Sequence, residues 1–215
     1  MEQTNAIPSE HVIPPGTQVI IERLSAALRK LTISASQSLG SDCAAHAYLS
    51  QRVLADEGIH TRVVIGAAAW RIGPGDGDVI SHVPQTNGVQ VALQPKAFPY
   101  HAWLETDTHI IDFSTHTLGL KASQLDAMDG GHTTVAWCPD FLLLAREDVK
   151  SYRDVAQAPR EGVAFYREIP ALLGLMIARG FIDEANEEDL YVLRMIYRNP
   201  DIHVIGVEDV VLPVM

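Results

Sequence analysis

Two short alternating runs, "YHAWLE" at residues 100–105 and "HIIDFS" at residues 109–114, constrain the fold of this chain more than any other feature. Polar and apolar side chains alternate within them, which is the pattern of a β-strand with two different faces. Because so few residues separate the runs, we predict an antiparallel hairpin. A two-residue loop at Thr106–Asp107 would make His101 and Asp112 direct cross-strand partners, with Cβ atoms roughly 5 Å apart.

A carboxylate opposite an imidazole has a chemical use. It accepts the Nδ1 proton, fixes the tautomer and favours the charged ring, while the other nitrogen stays able to take a proton. His101 and Asp112 therefore form, by prediction, half of a nucleophilic triad. The structural alternative is a core histidine that Asp112 merely satisfies.

Cys43 is the candidate for the other half. It begins a predicted helix that runs to about Glu57, with Ser41 or Asp42 as the N-cap and Gly58 at the end. The free amide groups and the dipole at a helix N-terminus favour the thiolate, which is the reactive form of cysteine. His46, one turn later, is a lower-ranked candidate base.

The remaining pattern places helices before and after a central sheet, and we therefore predict an α+β fold. We expect helices at residues 17–31, 121–131, 170–181 and 184–200, strands at residues 60–70, 89–95, 162–169 and 204–213, and a long Gly/Pro/Asp loop at residues 71–88. The chain is expected to form one domain over residues 1–215, with a core at about 17–145 and a C-terminal helical extension at about 146–215.

The order of these motifs resembles the transglutaminase-like superfamily, whose wider fold includes papain-like peptidases and arylamine N-acetyltransferases. The matching segments are "SDCAAHAYLSQRVLADEGIHTRVVIG", "YHAWLE" and "IIDFS", and the resemblance spans about Cys43 to Ser114, one third of the chain. The form looks closest to a compact bacterial branch that includes leader peptidases of lasso-peptide pathways. The resemblance implies a papain-like or transglutaminase-like core in which a cysteine-bearing helix packs on an antiparallel sheet. It also implies Cys43 as nucleophile, His101 as general base and acid, and Asp112 as orienting carboxylate.

Acyl transfer also needs hydrogen-bond donors for the oxyanion. The backbone amide of Cys43 is one candidate. Gln37 is another, because its spacing from Cys43 resembles that of the oxyanion glutamine in papain-like peptidases. Trp103 and Tyr100 flank His101 and are candidate walls of the substrate site, although Trp103 also suits a core. We expect the second cysteine, Cys138, to be a buried small hydrophobic residue.

Composition excludes several classes of partner. A net charge of −11 argues against nucleic acid and against an anionic membrane surface. The histidines show no metal-binding helical spacing such as HExxH, so we expect neither a metal nor a cofactor. The N-terminus resembles no secretory signal, and we expect a cytoplasmic protein. The pattern leaves the oligomeric state open.

The sequence thus predicts a cysteine-dependent amide hydrolase or acyltransferase that forms a thioester on Cys43 and acts on a peptide or protein. Two alternatives stay open. One is acetyl transfer to an arylamine through the same triad. The other is a non-catalytic binding module on the same fold.

Overall fold

A computed structural model shows a mixed α+β chain and describes residues 16–34, 43–83, 100–178 and 186–204. The predicted fold class is therefore confirmed at the level of α+β. The helices are α1 (Thr17–Ser34), α2 (Cys43–Asp56), α3 (Leu118–Asp129), α4 (Tyr152–Ala156), α5 (Pro170–Ala178) and α6 (Glu187–Arg198). The strands are β1 (Arg62–Arg71), β2 (Val79–His82), β3 (His101–Glu105), β4 (His109–Asp112), β5 (Leu142–Ala145) and β6 (Ala164–Glu168).

The sheet is antiparallel and is built around β1. Gly66 pairs with His101 of β3 and with Glu168 of β6, so these two strands lie on opposite edges of β1. Ala68 pairs with His82 of β2 and with Tyr166 of β6. Hence β2 and β3 share one edge of β1, and the end of β2 meets the start of β3.

At Gly66 the backbone of β6 leaves no room for a side chain on β1. A Cβ atom there would lie 2.0 Å from the carbonyl oxygen of Arg167, a distance that no side chain tolerates. The small-residue run after "RVVI" therefore allows β6 to pack tightly along β1.

Alternation along β3 separates two layers. Ala102 and Leu104 face a helical layer, in which Leu28 of α1, Leu49 of α2 and Leu193 of α6 belong to one buried cluster. The odd-numbered residues of β3 face the other side, where a second cluster is covered by α3. That cluster includes Trp70, Trp103, Leu118 and Tyr166. His101 thus belongs to the second layer, at the end of β3 that lies nearest to β2.

The predicted loop at residues 71–88 differs from the structure. Arg71 ends β1, a tight turn follows, and β2 begins at Val79. Asp78 organises the turn, because this residue is 4% exposed and its carboxylate accepts hydrogen bonds from the amides of Gly75 at 2.7 Å and Thr134 at 2.9 Å. Because this buried carboxylate binds two separate segments of the chain, it holds the turn in one conformation. Residues 84–88 lie outside the described part of the chain.

The C-terminal third contributes more than helices. β6 pairs with the central strand β1 along five residues. α6 contributes Leu190, Leu193 and Ile196 to the helical layer. The strand predicted at residues 89–95 and most of the one predicted at residues 204–213 lie outside the described residues. In the described part of the chain, no helix has the length and apolarity needed to cross a membrane.

The hairpin of β3 and β4 has a different register from the predicted one. Leu104 pairs with Ile111 and Glu105 with Ile110, and the amide of Thr106 donates to the carbonyl oxygen of His109 at 2.9 Å. The loop residues are therefore Asp107 and Thr108, not Thr106 and Asp107. The Thr106 hydroxyl accepts from the amide of His109 at 2.9 Å, a local side-chain bond that fixes the turn one residue later than expected.

Candidate active site

His101 and Asp112 meet although they are not direct cross-strand partners. In the observed register Asp112 is a diagonal neighbour of His101 on the same face of the sheet, within reach of long side chains. Nε2 of His101 lies 2.7 Å from Oδ2 of Asp112. The two side chains are 0% and 1% exposed. The predicted contact is confirmed, and the predicted register is wrong.

Asp112 accepts four hydrogen bonds. Its Oδ1 accepts from the amide and the hydroxyl of Ser114 at 2.9 and 2.8 Å. Its Oδ2 accepts from His101 and, at 2.8 Å, from the hydroxyl of Tyr166. Burial by itself would raise the pKa of Asp112, but His101, Ser114 and Tyr166 together lower it below its ordinary value. The carboxylate is therefore charged.

The hydrogen bond to Asp112 also determines the tautomer of His101. A charged carboxylate can only accept, so Nε2 of His101 carries a proton. We predicted Nδ1 for this role, and the ring has the opposite orientation. Nδ1 is consequently the nitrogen that can exchange a proton with another group.

Cys43 lies near the His101 ring. It is the first residue of α2, as predicted, and is 7% exposed. Burial would lower the pKa of His101, but the Asp112 carboxylate and the nearby Cys43 sulfur, by charge and by hydrogen bonding, raise it to about 9. Nδ1 of His101 has no hydrogen bond of regular geometry in the described part of the chain. The sulfur thus lies near the ring without forming a hydrogen bond of regular geometry.

Aromatic rings enclose His101. The ring of Trp70 meets it edge-on at 4.7 Å between centroids, while His82 and Trp103 lie parallel to it at 5.8 and 6.1 Å. Burial, together with the positive charges of Lys121 and His101, lowers the pKa of His82 to about 3, so His82 is neutral. These rings exclude water from the imidazole and strengthen its interaction with Asp112.

The two candidate substrate walls have different positions. Trp103 is 1% exposed, and its indole N–H donates to Glu105 at 3.0 Å. The role of Trp103 as a substrate wall therefore stays a prediction, and its observed contacts are those of a core residue. Tyr100 is half-buried and packs against the helical layer, on the side of the sheet opposite to Trp103.

The remaining predicted residues fall into three cases. Gln37 lies outside the described residues. The expectation of a buried Cys138 is wrong, since this thiol is exposed and donates to the carbonyl oxygen of Thr115 at 3.4 Å. His46 is buried, and its ring stacks on His116 at 5.6 Å between centroids.

A cleft of about 740 Å³ lies at the other end of β3. Glu57, Arg62, Glu105, His109 and Arg146 are among its lining residues. It is remote from Cys43 and His101, and we do not assign the chemistry to it. In the described part of the chain, no three histidine, cysteine or acidic side chains are grouped so that they could hold a metal ion.

Sequence reasoning missed Tyr166, Ser114 and Trp70. Ser114 carried a local signal, because "DFS" places a hydroxyl and an amide two residues after the carboxylate, as in an Asx-turn. Tyr166 is 54 residues from Asp112, and no periodicity or spacing links the two positions. The register of β6 on β1 alone brings Tyr166 to the site.

Comparisons with known proteins bear on the fold. No protein-family model matches the chain, and no curated protein matches it. A solved structure described as "The crystal structure of genomics APC5867" is similar, with a TM-score of 0.54 and 16% sequence identity. The alignment covers 87% of this chain and 83% of that one. At this identity the likeness concerns the fold alone, and the description names no activity.

Proposed function

We propose that this protein is a cysteine-dependent amide hydrolase or acyltransferase with a Cys43–His101–Asp112 triad. The observation that carries the proposal is the buried His101–Asp112 pair at 2.7 Å, together with the Cys43 sulfur beside the same ring. An imidazolium held by a carboxylate and placed next to a thiol at a helix N-terminus stabilises the thiolate.

The proposed reaction follows from these three groups. The Cys43 thiolate attacks the carbonyl carbon of an amide, and the electron pair of the C=O bond moves onto oxygen. When that pair returns, the C–N bond breaks, and Nδ1–H of His101 gives its proton to the leaving amine. A thioester remains on Cys43. Water or a second amine then attacks this thioester, Nδ1 takes a proton from the attacking group, and the thiolate is released.

A papain-like or transglutaminase-like core is part of the same proposal. Its support is that α2, with Cys43 at its N-terminus, packs against an antiparallel sheet that contributes His101 and Asp112 from adjacent strands. The substrate proposed is a peptide or protein amide, with no cofactor. A reducing compartment such as the cytoplasm would keep Cys43 as a thiol.

The test begins with thiol reactivity in a Cys138→Ser background, since Cys138 is exposed and would itself react. Cys43 should react with iodoacetamide near neutral pH at least about tenfold faster than an ordinary thiol, because the adjacent His101 ring activates the sulfur as a nucleophile. The His101→Asn variant is the matched comparison and should lose this advantage. A Cys43 no faster than glutathione at the same pH would contradict the proposal.

A second measurement identifies the reaction. A peptide mixture is incubated with the wild-type protein and with Cys43→Ala, and mass spectrometry follows cleavage, deamidation and crosslinking. Products that form only with the wild type support the proposal. A stable acetyl adduct on Cys43 after incubation with acetyl-coenzyme A would instead favour the arylamine acetyltransferase alternative. No turnover, with normal binding to a partner by Cys43→Ala, would favour the binding module.

A further inference from the structure

The hydrogen bonds of Tyr166 have a fixed direction. The indole N–H of Trp70 lies 2.8 Å from the Tyr166 oxygen, and an indole can only donate. The Tyr166 oxygen is therefore an acceptor from Trp70. Its own proton is directed to Oδ2 of Asp112, 2.8 Å away, because a charged carboxylate can only accept. Trp70, Tyr166 and Asp112 thus form a chain in which every proton has one possible recipient.

We propose that Tyr166 is a positioning residue for the His101–Asp112 pair. It donates to the same oxygen, Oδ2, that accepts from His101, and so it fixes the rotation of the carboxylate about its Cβ–Cγ bond. His101 depends on that oxygen to direct Nδ1 toward Cys43. This inference deepens the proposed function, on which its catalytic part rests.

Tyr166 is suited to this role because it is held on several sides. It is 7% exposed and lies in β6, where its backbone is opposite Ala68 of the central strand. Its ring packs against Trp103 at 5.2 Å between centroids. Burial and the charge of Asp112 raise the pKa of Tyr166 well above its ordinary value, so the hydroxyl keeps its proton throughout the neutral range. A rigid donor of this kind loses little entropy when it orients its acceptor.

Ser114 alone would not hold the carboxylate in the same way. Both of its bonds go to Oδ1, and they come from a residue in the turn that directly follows β4. Tyr166 reaches Oδ2 from a different strand and brings a second, independent anchor. Two anchors on two oxygens define the plane of the carboxylate, and hence the plane in which His101 donates.

The experiment measures the iodoacetamide rate of Cys43 against pH, in a Cys138→Ser background, for Tyr166→Phe. Phenylalanine keeps the ring and removes only the hydroxyl. We expect the rate at pH 7 to fall about fivefold, the effect of one ordinary hydrogen bond. Tyr191→Phe is the matched control, because Tyr191 is 70% exposed on α6, and it should leave the rate unchanged.

A double-mutant cycle separates positioning from packing. If Tyr166 acts through Asp112, Tyr166→Phe should have no further effect in an Asp112→Asn background. The same fivefold loss in both backgrounds would overturn the inference, as would a Tyr166→Phe rate equal to wild type.

Titration of the His101 ring by NMR keeps the inference testable if Cys43 proves unreactive or Asp112→Asn does not fold. Tyr166→Phe should shift the pKa of His101 from its wild-type value, because the Tyr166 hydroxyl and Nε2 of His101 bind the same oxygen, Oδ2 of Asp112. An unchanged titration would overturn the role of Tyr166. An unreactive Cys43 with a shifted titration would overturn the proposed function instead.

Discussion

Two buried carboxylates on one face of the β3–β4 hairpin have opposite environments. Asp112 is 1% exposed and Glu105 is 7% exposed. Asp112 is bound by neutral donors and one histidine, at the end of β3 near Cys43. Glu105 lies at the other end of the strand, where its Oε2 is 2.7 Å from Arg62 and 3.3 Å from Arg146.

The difference lies in the partner that carries the positive charge. Arginine keeps its proton at every working pH, and its hydrogen bond to Glu168 raises the pKa of Arg62 further despite partial burial. The positive charges beside Glu105 therefore do not titrate, and this group is suited to a structural ion pair. His101 can gain and lose a proton, so the Asp112 group can take part in chemistry. A buried carboxylate is a functional candidate when its positively charged partner can lose a proton near neutral pH. Asp112 meets this condition through His101, whereas Glu105 is bound by arginines and does not.

The largest difference between the two ends of β3 should appear when the carboxylates of Asp112 and Glu105 are neutralised one at a time. We expect Asp112→Asn to slow the iodoacetamide reaction of Cys43 at pH 7 by about a hundredfold or more, because the imidazolium loses its counter-charge and its orientation. Glu105→Gln should change the same rate less than about threefold, because Glu105 contacts neither His101 nor Cys43.

Circular dichroism of both variants controls for unfolding in this experiment. Similar losses of rate in two folded variants would show that the ends of the hairpin are not distinct. An Asp112→Asn protein with wild-type reactivity would remove Asp112 from the triad.

The pH dependence of stability should also distinguish the two ends. Because the folded-state pKa of His101 is raised to about 9, its stabilisation is complete below about pH 6.5 and is lost as pH rises toward 9. We expect the free energy of unfolding to fall by on the order of 2 kcal/mol across this window. Asp112, with a lowered pKa, adds stability that is lost only as pH falls below about 4.

Urea unfolding at a series of pH values measures this directly. The decrease between pH 6.5 and 9 should persist in Glu105→Gln and disappear in His101→Asn. An equal slope in His101→Asn would assign the decrease to other groups.

Removing the Glu105 charge should mainly affect stability. Glu105→Gln should cost about 1–2 kcal/mol, since the bond from Trp103 can be kept while two charge-assisted bonds are lost. Arg62 retains Glu168 as a partner at 2.8 Å, which limits the loss. Thermal and urea unfolding would measure it, and Asp107→Asn, in the adjoining loop, is the matched control. A cost as large as that of Asp112→Asn would contradict the distinction.

The smallest effect is expected at the rim of the cleft. The Arg146 side chain is 47% exposed and reaches Glu105 at 3.3 Å. Arg146→Gln should therefore destabilise the protein by less than about 1 kcal/mol and leave Cys43 reactivity unchanged. A larger loss on urea unfolding would mean that Arg146, rather than Arg62, is the main counter-charge of Glu105.

The hairpin shows how far sequence reasoning reached and where it failed. Period-two alternation correctly placed His101 and Asp112 on one face, because a face depends only on whether positions differ by an odd or even number. The register was wrong by two positions, and an even slip conserves the face. The contact was therefore predicted for a partly incorrect reason. The orientation of the His101 ring could not be predicted, since it depends on where Cys43 and Asp112 lie in space.

By itself the sequence determined β1, β3 and β4, the start of α2 at Cys43 and the shared face of His101 and Asp112. These features follow from local periodicity and capping, which act over a few residues. The tertiary structure alone decided that β6 joins the sheet, that Trp103 and Glu105 form a structural group, and that Tyr166 binds Asp112. Those contacts join residues far apart in the chain, and they exist only because strands pair in one register and bury their polar groups against one another.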